Sequence, residues 1–121
     1  MKRLDKLKQY SGKVLNSIDQ IFKGNEVQYL EAVDFFVGDE QFDLIGKYIK
    51  ENDFALATDA TKSLMYLAED FGLIPLYLAL QEIDEDLAAK EYNVLEQRYM
   101  ELMDLHEEFK KIIKEWFVCM M

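Results

Sequence analysis

The chain has 121 residues, half of them hydrophobic, enough for one domain with its own core and too apolar for a disordered segment. One proline and five glycines are too little punctuation for a many-stranded β protein. A formal net charge of −10 sets the mean field against nucleic acid and anionic membranes, so neither is expected as a partner.

Leu4, Leu7, Val14, Ile18 and Ile21 recur at helical spacing and predict an amphipathic N-terminal helix within residues 1–24, weakened at Ser11-Gly12. Asn25 and Gln28 form a capping-box-like start for the next helix. Its stripe is Val27, Leu30, Val33 and Val37, and Gly38-Asp39 marks a short break. Leu44, Ile45, Tyr48 and Ile49 carry the helical rhythm on to Asn52. Asp53 is placed to cap a third stretch, whose expected buried seam is Ala57, Ala60, Leu64, Leu67 and Phe71. Gly72 suits a left-handed helix end, and Pro75 suits the first turn of the helix that follows, with Leu76, Leu80, Ile83 and Leu87 turned inward.

Toward the C-terminus Tyr92, Leu95, Tyr99, Leu102, His106, Phe109, Ile113 and Trp116 step by three and four without a break. That is a heptad seam, and it predicts one long helix over about residues 90–116. Short loops between long helices favour antiparallel neighbours. The expected fold is therefore all-α, an antiparallel up-and-down four-helix bundle over residues 25–117, with an additional N-terminal helix at 1–24 and a tail at 118–121.

Residues that could carry chemistry are few. The one histidine, His106, has Met103 rather than a glutamate three residues before it, and the one cysteine is Cys119. Neither a bundle di-metal site nor a zinc site can be assembled from them, so no metal and no cofactor is expected. His106 lies on its helix seam and reads as a partly buried imidazole with one hydrogen-bond partner. The acidic run Glu82, Asp84, Glu85, Asp86 lacks the glycine and spacing of a calcium loop and reads as a solvated helix end. Lys2, Arg3, Lys6 and Lys8, and again Lys110, Lys111 and Lys114, read as solvated faces. The start Met1-Lys2-Arg3 leads into no apolar run, so no secretory signal is expected and the cytoplasm is the expected compartment.

With residues 57, 60, 64, 67 and 71 taken as buried, the opposite side of that helix carries Thr58, Asp59, Lys62, Met65, Tyr66 and Glu69. Large, partly apolar side chains beside a lysine mark these six as the candidate partner-docking surface.

The stretch from Asn25 to Ile113 resembles the histidine-phosphotransfer family, four-helix bundles that relay phosphoryl groups between receiver domains. The resemblance rests on Phe35-Phe36, on the turn Glu51-Asn52-Asp53-Phe54, on Phe71-Gly72 and on the order of the helices. The family's signature is His-x-x-Lys-Gly, with a further glycine about six residues on. Counting back from Gly72 places these slots at Lys62, Met65 and Tyr66, and all three depart from the pattern. A protonated lysine is no substitute for a nucleophilic imidazole. The resemblance thus implies a degenerate member, not an enzyme. It would dock a receiver domain or sensor histidine kinase through the face around Lys62 without passing phosphate. The alternative is a structural protein that pairs as a homodimer along the 92–116 seam, and a third reading makes His106 an unorthodox phospho-acceptor.

Overall fold

The computed structural model describes residues 14–120, with side chains throughout except at Leu15 and residues 116–120. The expectations for Leu4, Leu7 and Ser11-Gly12 lie outside the described residues, as do those for the side chains of Trp116 and Cys119. Among the described residues every regular element is helical: α1 Val14–Ile21, α2 Glu26–Val37, α3 Gln41–Lys50, α4 Phe54–Asp70, α5 Ile74–Ala88, a 3₁₀ turn Tyr92–Val94, and α6 Leu95–Met120. None of these helices is long and apolar enough to cross a membrane.

Helix ends follow from local chemistry. Asn25 and Asp53 each accept a side-chain hydrogen bond from the third residue on, Gln28 N–H and Leu56 N–H. Pro75 sits in the first turn of α5, where its missing N–H costs nothing. Three helices end alike. Asn52 (φ 58°), Gly72 (φ 74°) and Lys90 (φ 59°) turn left-handed after α3, α4 and α5. The next amide then reaches back five residues, Asp53 to Tyr48, Leu73 to Ala68 and Glu91 to Asp86. The break after α2 differs: Gly38 keeps a negative φ, and the Asp39 carboxylate accepts from Gln41 N–H to start α3.

α3 packs on α4, α4 on α5 and α5 on α6, while α2 and α3 both lie along α6. Val37 and Phe42 meet His106, and Gly46 meets Tyr99, so α2 and α3 together form one bent arm running antiparallel to α6. Leu30, Ile45, Leu64, Leu76, Leu80, Leu102 and Phe109 are fully buried between them. Each such side chain contributes about 1.5–3 kcal/mol by leaving water. A file of touching rings, Phe22, Tyr29, Phe71, Phe36, Phe42 and His106, runs through one half of this core. At the other end Phe54 and Tyr92 stack face to face with centroids 3.8 Å apart.

α1 and α2 close the C-terminal end of α4. Ser17 donates its hydroxyl to the Asp70 carbonyl and Tyr29 to that of Phe71, each at 2.7 Å, so two carbonyls left over by the helix end are satisfied from outside it.

Of the seam expected for α6, Leu95, Leu102, His106, Phe109 and Ile113 are buried and Tyr99 is half-buried, whereas Tyr92 is exposed and lies in the 3₁₀ turn before the helix. That helix begins at Leu95, after the 3₁₀ turn, and continues past Trp116 to Met120. Two expected stripes are displaced. On α2, Val27 is exposed and Tyr29 and Phe36 are buried in addition to Leu30, Val33 and Val37. On α4, Leu67 is 38% exposed, and the buried positions are Ala57, Ala60, Thr61, Leu64, Met65 and Ala68.

Candidate docking surface

α4 is wedged between α3 and α5, so its buried arc is broad and its outward side is narrow. The six residues expected on that side do not share one environment. Met65 is 8% exposed and belongs to the core, which corrects the expectation that it faces outward. Thr58 is half-buried, and its hydroxyl donates to the Phe54 carbonyl one turn back at 2.7 Å, leaving little for a partner. Asp59, Tyr66 and Glu69 are exposed, with Tyr66 at 57%. At about 100° per residue Lys62 and Glu69 lie on the flank of α4 that turns toward α5, Asp59, Tyr66 and Asp70 stand near the centre of the outward side, and Leu67 lies at its far edge.

Lys62 defines that flank. Its Nζ lies 3.1 Å from both carboxylate oxygens of Asp84 on α5. The hydrogen bond to Asp84, and then its charge, push the ammonium further above its ordinary range. Lys62 is therefore a paired cation. Lys62 and Asp84 stand eleven residues on either side of Leu73, the position at which α4 and α5 fold back on one another. The same symmetry sets Glu69 level with Tyr77, and Tyr66 level with Leu80, next to Gln81. Tyr77 and Gln81 are joined to each other, with the amide 3.4 Å from the phenol oxygen.

Tyr77 and Gln81 were not among the residues singled out from sequence, and Asp84 was read there only as part of a solvated acidic run. The one signal that could have found Asp84 is this equal distance from Leu73 at the turn, which becomes usable once both helices and their antiparallel order are granted. The acidic run is likewise more than a solvated helix end. Arg98 on α6 reaches Asp86 at 3.1 Å and Glu82 at 3.5 Å, tying α5 to α6.

His106 is buried more completely than expected, at 5% exposure. Its Nε2 bonds the Val37 carbonyl. Burial, and then the nearby Lys110 ammonium, hold its pKa below the ordinary imidazole value, with the Val37 bond opposing them. Two open grooves flank α6. One runs against α3, between Gly46, Lys47, Lys50, Glu96, Tyr99 and Met100. The other runs against the end of α2, between Asp34, Gly38, Glu107, Lys110, Lys111 and Lys114. Among the described residues no three His, Cys, Asp or Glu side chains are gathered as ligands for a metal ion. Compared with family models, curated proteins and solved structures, the chain matches none of them.

Proposed function

We propose that this chain is a non-catalytic binding module of two-component signalling, similar to a histidine-phosphotransfer domain, that docks a receiver domain or sensor kinase without relaying phosphate. The observation that carries the reading is the α4–α5 flank. A tyrosine more than half exposed stands at its outer edge, one turn on from a lysine held by Asp84, on the helix where such a domain presents its histidine. The chain's own imidazole lies on a different helix, buried and engaged with the Val37 carbonyl, so it offers no surface nucleophile.

The burial of Met65 bears on how the family motif is set on α4. With Lys62 in the histidine slot, the supporting lysine slot falls on a core residue. Moving the motif back by three residues puts Asp59 in the histidine slot, Lys62 in the lysine slot and Ser63 in the glycine slot, with Gly72 then three residues too far along. Either setting leaves the acceptor position without an imidazole. Contact with a partner would rest on Tyr66, with the Asp59 and Glu69 carboxylates open to basic groups on its rim.

The test is a binding titration of the full chain against the receiver and kinase domains of its own organism. The expected result is binding by at least one of them, weakened about thirtyfold by Tyr66→Ala if the phenol is a central anchor. Absence of binding by all of them overturns the proposal. The second reading, a helical homo-oligomer outside signalling, cannot use the 92–116 seam as expected, because Leu95, Leu102, Phe109 and Ile113 are buried in the chain's own core. It draws instead on two large apolar side chains left open, Phe35 at 84% and Met100 at 68% exposure. Light scattering at high protein concentration separates the two, because this reading requires a dimer in the absence of any partner.

A further inference from the structure

His106 is placed where α2 ends and α3 begins. Its Nε2 faces the carbonyl of Val37, the last residue of α2, and its ring lies against Phe42 in the first turn of α3, with centroids 4.2 Å apart. One side chain thus pins both sides of the elbow formed by Gly38, Asp39 and Glu40. A carbonyl can only accept, so Nε2 carries the proton and Nδ1 holds the lone pair. That Nδ1 is buried and has no hydrogen-bond partner.

We infer that the α2–α3 elbow is a proton-operated hinge, in which a proton taken up at Nδ1 of His106 puts a charge in a buried place with no acceptor and so favours a state in which the C-terminal end of α2 lifts from α6 and water reaches the ring. The Val37 carbonyl by itself favours the charged imidazole. Protonation turns Nδ1 into a charged donor in a buried place where nothing accepts from it, a state far more costly than a neutral unpaired acceptor. The Phe42 ring supplies a π face and no acceptor. The charged groups facing the site are Asp43 on α3 and Glu107 and Lys110 on α6, with Asp34 on the last turn of α2. Both Asp43 and Glu107 are exposed carboxylates, and the lysine opposes a second positive charge nearby.

Relief comes most directly by letting water in, and the structure shows where. The groove beside Gly38 already opens this side of α6, between Asp34 and the lysines 110, 111 and 114. The other end of α2 is held by the Tyr29 hydroxyl on Phe71, so motion concentrates at the elbow. Burial, which holds the imidazole below its ordinary range, agrees in sign with this picture: the closed elbow disfavours the proton and the open one accepts it.

Hydrogen exchange on the full chain tests this, read as protection factors from about pH 7.5 down to about pH 5, the interval in which an imidazole titrates. The amides of Gly38 and Asp39, bonded to the carbonyls of Asp34 and Phe36, report the elbow, and those of Leu64 and Leu80 report the core. Between the pKa values of the closed and open states, elbow protection is expected to fall about tenfold per pH unit while core protection holds. His106→Gln, which can still donate to Val37 but does not titrate, is expected to abolish that fall. The inference is overturned if elbow and core lose protection together, if the elbow does not respond to pH, or if the response persists in His106→Gln. Should that variant not fold, the comparison of elbow with core in the unmodified chain decides alone.

Discussion

The ring of Tyr99 occupies the space that a side chain at position 46 would take. Gly46 lies in the middle of α3, and a Cβ built there would overlap the Tyr99 ring across the interface with α6. The Tyr99 hydroxyl donates to the Phe42 carbonyl at 2.9 Å, one turn earlier on the same helix, so the ring is fixed at both edges. A glycine inside a helix costs about 0.5–1 kcal/mol relative to alanine, and here that cost is offset by the close approach of two helices.

Gly46→Ala is therefore expected to destabilise the fold by about 1–3 kcal/mol, the usual range for overpacking, even though alanine is the better helix former. In a Tyr99→Leu background the obstruction is gone, and the same substitution is expected to become neutral or stabilising by up to about 1 kcal/mol. Urea melts of the four proteins in this cycle check the change of sign. Additive effects of the two substitutions would show that the ring and the glycine are not coupled.

Burial pushes the Tyr29 phenol far above its ordinary range. The unfolded chain releases that proton first, so the contribution to stability is complete below about pH 10 and is lost as pH rises beyond it, by up to about 1.4 kcal/mol per unit. Tyr29→Phe is expected to cost about 1–2 kcal/mol at neutral pH, because the Phe71 carbonyl loses its donor, and to flatten the alkaline loss. Thermal melts from about pH 8 to about pH 11, across the ordinary phenol pKa, report both effects.

The α6 seam could be read from sequence because α6 lies along two neighbours and keeps one continuous inner face, on which Leu95, Leu102, Phe109 and Ile113 alternate with acidic residues. α4 could be read only in part. It touches α3 on one side and α5 on the other, and its pattern admits two stripes that share Ala57, Ala60 and Leu64. Leu67 looks the more apolar choice, yet the structure buries Met65 and Ala68 instead. Two residues make this possible. The Thr61 hydroxyl is satisfied by the Ala57 carbonyl at 2.7 Å, so it can enter the core, and Ala68 is small enough for a neighbouring helix to approach. The same rotation of α4 turns the expected docking arc toward α5 and brings Lys62 to Asp84, which no periodicity in α4 alone could reveal.

That rotation gives a direct test of which residues are inside. Met65→Ala is expected to cost about 2–5 kcal/mol, the range for emptying a core position, and Leu67→Ala less than about 1 kcal/mol. Equilibrium unfolding of the two variants is sufficient. The reverse order of costs would restore the stripe through Leu67 and put Met65 back on the docking surface.

The pairing of Lys62 with Asp84 also predicts how the proposed docking responds to charge. Receiver domains present an acidic pocket to their phosphotransfer partners, and a lysine already bonded to a carboxylate has little to offer such a pocket. Asp84→Asn leaves the neighbouring shape unchanged and releases the ammonium. It is expected to tighten binding to an acidic partner by about two- to fivefold at low salt, an effect that fades as salt is added. Lys62→Met should remove that gain when combined with Asp84→Asn. Titrations of the three variants at two salt concentrations distinguish the outcomes. If Asp84→Asn weakens binding instead, the partner contacts the carboxylate and not the lysine, and the docking surface must extend onto α5 toward Gln81 and Tyr77.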